Sequence, residues 1–233
     1  MLLEDFFRAR RAGILTGAGL YGQRGAAVDL NELFKSEKRH CPQCQGREKT
    51  VQDATGAKRT VREYYHQAVA LTWVSGEGSV VIGWERLAPG EGELTAALRL
   101  LARLLPRLRH SLDVILGDAR SGCRPFFELV GGTGLHALAI SSGNTELDSE
   151  MDLLVATEPP RLVRGLDIAV WELESEAWQA DLHRTLRVIH CERRYPAPAW
   201  QHARQQLRVG TSTPVALLPA GQGGQGGAGP LAH

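Results

Sequence analysis

Two aspartates and two cysteines are the residues whose type and placing could carry chemistry. Asp118 closes the stretch Asp113-Val-Ile-Leu-Gly-Asp118, in which Val114, Ile115 and Leu116 read as a short buried strand. Asp29 closes a similar run, Ala26-Ala-Val-Asp29. In an open α/β sheet the C-terminal ends of the strands converge on the ligand crevice. Two carboxylates there could hold Mg²⁺ or Mn²⁺, which bind few protein carboxylates and keep positions for phosphate oxygens. Such ions activate the attacking oxygen and stabilise the leaving one in phosphodiester chemistry. A strand-end aspartate also serves simply to cap the following turn or helix. Spacing alone does not separate the two roles.

The cysteines form Cys41-Pro-Gln-Cys44, preceded by His40. One such pair is half of a tetrahedral Zn²⁺ site. Cys123 and Cys191 remain as completers, but neither has a paired neighbour. The competing reading is a turn with incidental thiols. A thioredoxin-like redox role is disfavoured because no helix opens at Cys41. Tyr64-Tyr65-His66 reads as a half-buried strand face, not a site. Residues 13–25 are glycine-rich but lack a preceding strand and a Lys-Ser/Thr ending, so they make no phosphate loop.

The elements that must position these residues follow from pattern. Glu63–Val74 and Ser79–Leu87 are rich in β-branched and aromatic residues around a glycine turn, which predicts a hairpin. Residues 93–109 carry Leu94, Ala97, Leu98, Leu101, Leu104, Leu105 and Leu108 at helical spacing, with arginines on the other face. A strand (114–116), a short helix (125–130) and a strand (135–140) follow. The order strand, strand, strand, helix, strand, helix, strand indicates a mixed α/β core over residues 26–149. Residues 1–24 show no clear element, 1–25 read as an N-terminal remnant, and 35–62 read as a basic, Cys-containing loop. Residues 150–207 read as a β-rich insertion without a strong helix, and the Gly/Gln-rich stretch 208–233 as a disordered tail.

A chain of 233 residues, 43% apolar, is long enough to bury one substantial core. A net charge of +1 argues neither for nor against nucleic acid, although arginines cluster at 8–11, 103–109, 184–187 and 193–194. Their plainest reading is solvated helix faces. No signal-peptide pattern and no long apolar run occur, so a cytoplasmic protein with reduced thiols and no membrane partner is expected.

Taken in order, several stretches resemble the DDE-type insertion-sequence transposases, whose catalytic core is RNase H-like. These are Val28-Asp29-Leu-Asn-Glu-Leu-Phe34 with His40-Cys-Pro-Gln-Cys44, then Glu63-Tyr-Tyr-His66 and Pro89-Gly-Glu-Gly-Glu93. Val114-Ile-Leu-Gly-Asp118-Ala, Phe126-Phe127 and Gly134-Leu-His-Ala-Leu-Ala-Ile-Ser-Ser-Gly-Asn144 complete the set. The resemblance covers about residues 26–195. It implies an RNase H-like mixed sheet in which Asp29 and Asp118 are two of three carboxylates holding Mg²⁺ or Mn²⁺. It implies DNA as partner (transposon ends and target), self-association, and strand cleavage followed by transfer to a 3′-hydroxyl.

The pattern departs from the family in three places. Leu30 stands where the family has Gly, and Ser142 stands where a Lys precedes Gly-Asn. The family's third carboxylate, a Glu on a helix beyond the β-rich insertion, has no counterpart before the glycine tail. The expectation is therefore a truncated mobile-element transposase with little or no recombination activity of its own. The alternatives are a non-catalytic DNA-binding or regulatory fragment, and a small zinc-knuckle protein.

Overall fold

The computed structural model describes residues 2–15, 22–52, 55–75, 78–141, 145–163, 168–175, 186–193 and 215–219. The chain divides into two compact units, residues 1–142 and 143–233, whereas the sequence pattern set the boundary at 149/150. It is mixed α/β, as the element order requires.

In the first unit the elements are α1 (Leu2–Arg11), β1 (Gly25–Ser36), β2 (Gln45–Gln52), β3 (Lys58–Val74) and β4 (Ser79–Arg86). They continue through α2 (Glu93–Leu108), β5 (Val114–Gly117), a turn of 3-10 helix (Ala119–Ser121), α3 (Arg124–Gly131) and β6 (His136–Ser141). The predicted hairpin, long helix, strand, short helix and strand all form. Two expectations need correction. Residues 1–24 contain a helix, because Leu3 and Phe6 present one apolar side while acids lie in the first turn and arginines in the last. Residues 35–62 are largely strand, with β1 running to Ser36, β2 intervening and β3 starting at Lys58. Their side chains are mostly exposed, so hydrophobic alternation, the signal that betrays a strand, is missing there.

The sheet of this unit runs β4–β3–β1–β5–β6, and β2 joins the outer half of β3 on the side away from β1. β3 is antiparallel to β1, β2 and β4, whereas β1, β5 and β6 are mutually parallel. The parallel pairs need crossovers, and α2 and α3 supply them. α2 buries Leu100, Leu101, Leu104, Leu105 and Leu108, each contributing about 1.5–3 kcal/mol on removal from water. It can lie this close because β4 has Gly83, where a Cβ would sit 2.7 Å from a methyl of Leu104. Phe6 of α1 packs near Trp73 of β3, ring centroids 6.5 Å apart.

Two local devices fix the β5 end of the sheet. Arg24 grips Asp113 three times: its backbone N–H and Nε donate to Oδ2 at 2.8 and 2.9 Å, and Nη2 to Oδ1 at 2.5 Å. This clip precedes the short register Gly25–Val114, Ala26–Ile115, Ala27–Leu116. At the other end, Gly117 lets the following turn fold back over the strand. A Cβ there would meet Ser121 Cβ at 2.3 Å.

In the second unit α4 (Thr145–Thr157) precedes the antiparallel strands β7 (Arg161–Val163), β8 (Ile168–Ser175) and β9 (Leu186–Arg193). The region is β-rich as expected, but the missing helix is present. α4 is only weakly amphipathic, with Leu147 and Met151 as its buried residues, so periodicity hid it. Trp171 of β8 donates its indole N–H to the carbonyl of Glu158 at 2.9 Å, tying the sheet to the segment after α4. The tail expected to be disordered from residue 208 lies outside the described residues, except β10 (Val215–Pro219), which pairs antiparallel with β9.

Gly117→Val should cost about 1–3 kcal/mol in urea unfolding, because backbone must move to admit the side chain. Gly78→Ala, with nothing within 4 Å, should stay within about 0.5 kcal/mol of wild type. Arg24 holds the Asp113 carboxyl down at about 2, against an ordinary 3.8. The folded-state value is depressed, so the stabilisation is complete above about pH 4 and is lost as the pH falls towards about 2. Asp113→Asn should therefore lower stability by about 1 kcal/mol at neutral pH, partial exposure keeping the effect small, with the gap closing near pH 2.

Candidate functional site

Each candidate aspartate is already engaged by nearby backbone, but Asp29 does not close its strand as expected: it lies within β1, opposite Ala70 of β3, because the mostly exposed residues 30–36 stay paired with β3. Asp118 caps the 3-10 turn: its Oδ1 accepts from Arg120 N at 3.0 Å, Ser121 N at 3.2 Å and Ser121 Oγ at 3.3 Å. Asp29 Oδ1 accepts from Leu30 N at 2.8 Å. In both residues Oδ2 takes none of these bonds. The capping role and the strand-end role thus coexist at Asp118.

The parallel β1–β5 ladder ends at Ala27 beside Leu116; the same register carried two residues past that last pair would set Asp29 level with Asp118. Asp29 is exposed and Asp118 half-buried. A third carboxylate lies in their field. Glu93, the first residue of α2, is mostly buried and pairs with Arg120 at 2.8 Å. Burial pushes its carboxyl above the ordinary range, the Asp118 charge pushes the same way, Arg120 opposes, and Asp29 adds a smaller upward push. Each charge resists a further negative charge nearby, which is the electrostatic situation a divalent cation relieves. The three carboxylates are not gathered within 4.8 Å of one another.

The cysteine pair is a different case. Cys41 and Cys44 lie on the exposed connection between β1 and β2, where Cys44 N–H donates to Cys41 O at 3.0 Å and closes a tight turn. The Cys41 backbone N–H points at Cys44 Sγ, 3.2 Å away. The Gln43 backbone N–H, helped by Cys44 and the charge of Arg86, draws the Cys41 thiol below its usual range. The turn lies over β3, and His66 of that strand reaches both sulfurs. His66 Nε2 is 3.4 Å from each Sγ, and the sulfurs are 3.7 Å apart. Among the described residues this is the group of His, Cys, Asp and Glu able to hold a metal such as zinc. Cys123, at the N-cap of α3, and Cys191, in β9, are not members. His40 stacks on Tyr64 at 4.5 Å and also stays outside.

Sequence reasoning missed His66 and Glu93 for different reasons. His66 reads as a strand-face residue, and only the fold-back of residues 37–44 over β3 reveals its partners. Glu93 opens α2, and first-turn acids are so common at helix starts that its type carried no signal.

The arginine faces are less available than the sequence suggests. Arg99 pairs with Glu85 and Glu91, Arg103 with Glu85, Arg107 with Glu4, and Arg124 with Glu128. Arg47 bridges Glu32 and the buried Glu63, whose carboxyl it holds below the ordinary range with help from Lys49. Such pairing leaves fewer free cations for phosphates. No helix is long and apolar enough to cross a membrane among the described residues.

No protein-family model, curated protein or solved structure matches the chain.

The influence of Asp118 and Arg120 on Glu93 has a direct readout. Asp118→Asn should lower the Glu93 carboxyl pKa, and Arg120→Ala should raise it, in carboxyl-detected NMR titrations of the full chain. A Glu93 titration indifferent to Asp118→Asn would show that the two carboxylates do not share a site.

Proposed function

We propose that the first unit is an RNase H-like core of DDE-transposase descent, with divalent metal at the Asp29 and Asp118 carboxylates and DNA as its substrate. The observation that carries this reading is the parallel β1–β5 register, which, carried two residues past its last pair, sets Asp29 level with Asp118. The surrounding topology supports it. An antiparallel β1–β3–β4 meander feeds helical crossovers into parallel β5 and β6, the order that the resemblance to these transposases implies. Glu93 stands as the third carboxylate of this set, in place of a glutamate on a later helix. Among the described residues no helix follows β9.

In this reading Asp29 and Asp118 each offer Oδ2 to metal while Oδ1 stays tied to the local backbone, which fixes the orientation of the carboxylates. Mg²⁺ or Mn²⁺ there would supply the polarisation of phosphate oxygens. The chain's own contribution is positioning. The site is partly open, and its carboxylates are not drawn together as a tight triad, so ion binding is weak. DNA strand cleavage and transfer, the chemistry of the family, then survive in this chain only at a low level, since misplacing the nucleophile by about 1 Å can cost about 100-fold. The protein acts on DNA in transposition as a weakened member of that group.

Calorimetric Mn²⁺ titration tests this. Wild type should bind, and Asp29→Asn and Asp118→Asn should each weaken binding by about tenfold or more, since even outer-shell losses cost about 10–100-fold. Glu93→Gln should weaken it too. Identical titrations for wild type and Asp118→Asn would end the assignment, whatever the result with DNA.

A further inference from the structure

We propose that Cys41, Cys44 and His66 form a Zn²⁺ site with three protein ligands and an open fourth position, clamping the β1–β2 connection onto β3. Zinc binds thiolate sulfur at about 2.3 Å and imidazole nitrogen at about 2.0–2.1 Å in tetrahedral sites. The edges of such a tetrahedron are about 3.8 Å between sulfurs and about 3.6 Å between sulfur and nitrogen. The three separations here are 3.7, 3.4 and 3.4 Å. The ligand atoms therefore already occupy three vertices of the right size.

The surroundings fit a metal better than an incidental cluster. Peptide N–H groups directed at ligand sulfur, as Cys41 N is at Cys44 Sγ, stabilise thiolate charge. Two thiolates and a neutral imidazole neutralise the ion and select zinc over Mg²⁺ or Ca²⁺, which prefer oxygen. His66 is held on a central strand, paired with Phe34 of β1, and its ring lies 6.0 Å from the Phe34 ring. On the turn side, Gln43 accepts from Arg86 of β4, so the segment carrying the thiols is tethered next to β3 independently of metal.

Among the described residues the fourth vertex has no occupant. No fourth His, Cys, Asp or Glu among the described residues joins the three within 4.8 Å. His40 is diverted by stacking on Tyr64. Cys41 is exposed, so the vertex opens to solvent and takes water or a small neutral donor. The clamp links residues far apart in sequence, and its loss should loosen the β2 arm while leaving β5, α3 and β6 in place.

The test uses the full chain purified under reducing conditions with zinc present. Elemental analysis should give about one zinc per chain, and cobalt substitution should give the intense visible bands of tetrahedral thiolate coordination. His66→Ala and Cys44→Ser should lose the metal. His66→Cys should keep it, with a stronger sulfur-to-cobalt charge-transfer band, which separates ligand loss from misfolding. Added imidazole should shift the cobalt bands of wild type by filling the fourth vertex. A chelator should lower the melting temperature of wild type but not that of His66→Ala. A wild-type chain that stays metal-free with both thiols reduced, or one whose metal content matches that of His66→Ala, would overturn the site. Cobalt bands unmoved by imidazole would overturn the open vertex.

Discussion

The backbone ladder of β3 is the constraint on which the first unit depends. Over seventeen residues it pairs with β1 on one side and with β2 and then β4 on the other. It fixes the height of β1, and β1 in turn sets where β5 ends and where Asp118 turns away. It also carries His66 under the cysteine turn. Both candidate sites are therefore referenced to one strand, and neither would survive a register slip, which would exchange the two faces of β3. Leu71 and Val69, fully buried, hold the register by facing the core.

The two sites differ in how much of their chemistry is built in advance. The cysteine and histidine atoms stand at the separations of a metal's coordination sphere before any ion is considered. The carboxylates share an electrostatic neighbourhood, and each aspartate spends one oxygen on its own backbone. That arrangement costs less in the absence of a cation, because like charges kept apart repel one another less. Arg120 has a double part here: its side chain partners Glu93, and its backbone N–H caps through Asp118. A single residue thus mediates between the helix and the strand end.

Much of the first unit was legible in the sequence, for a physical reason. α2, β3, β4, β5 and β6 all bury one face or both, and burial writes periodicity into residue type. What was illegible was what burial does not govern. β2 has hardly a buried side chain, and it is a strand because β3 offers it hydrogen bonds, which leave no mark on residue choice. α4 failed the same way, since among its described side chains Leu147 and Met151 alone are buried. Of the sites, Asp29, Asp118, Cys41 and Cys44 were readable because motifs are local. His66 lies 22 residues from Cys44 and became readable only once the fold brought strand and turn together.

The β1–β3 ladder slips once, between Glu32 and Phe34, leaving Leu33 as an extra, exposed residue. A bulge of this kind breaks a strand into two segments whose phases are independent. Asp29 lies on the inner segment and Phe34, beside His66, on the outer one. An inserted or deleted residue in a regular strand inverts every side chain beyond it, but at Leu33 the inversion is confined to the last few positions of β1. The β2 arm and its cysteine turn could thus be lengthened, shortened or exchanged over evolutionary time without disturbing the aspartate. The bulge is a seam at which a peripheral module can be replaced while the core keeps its register.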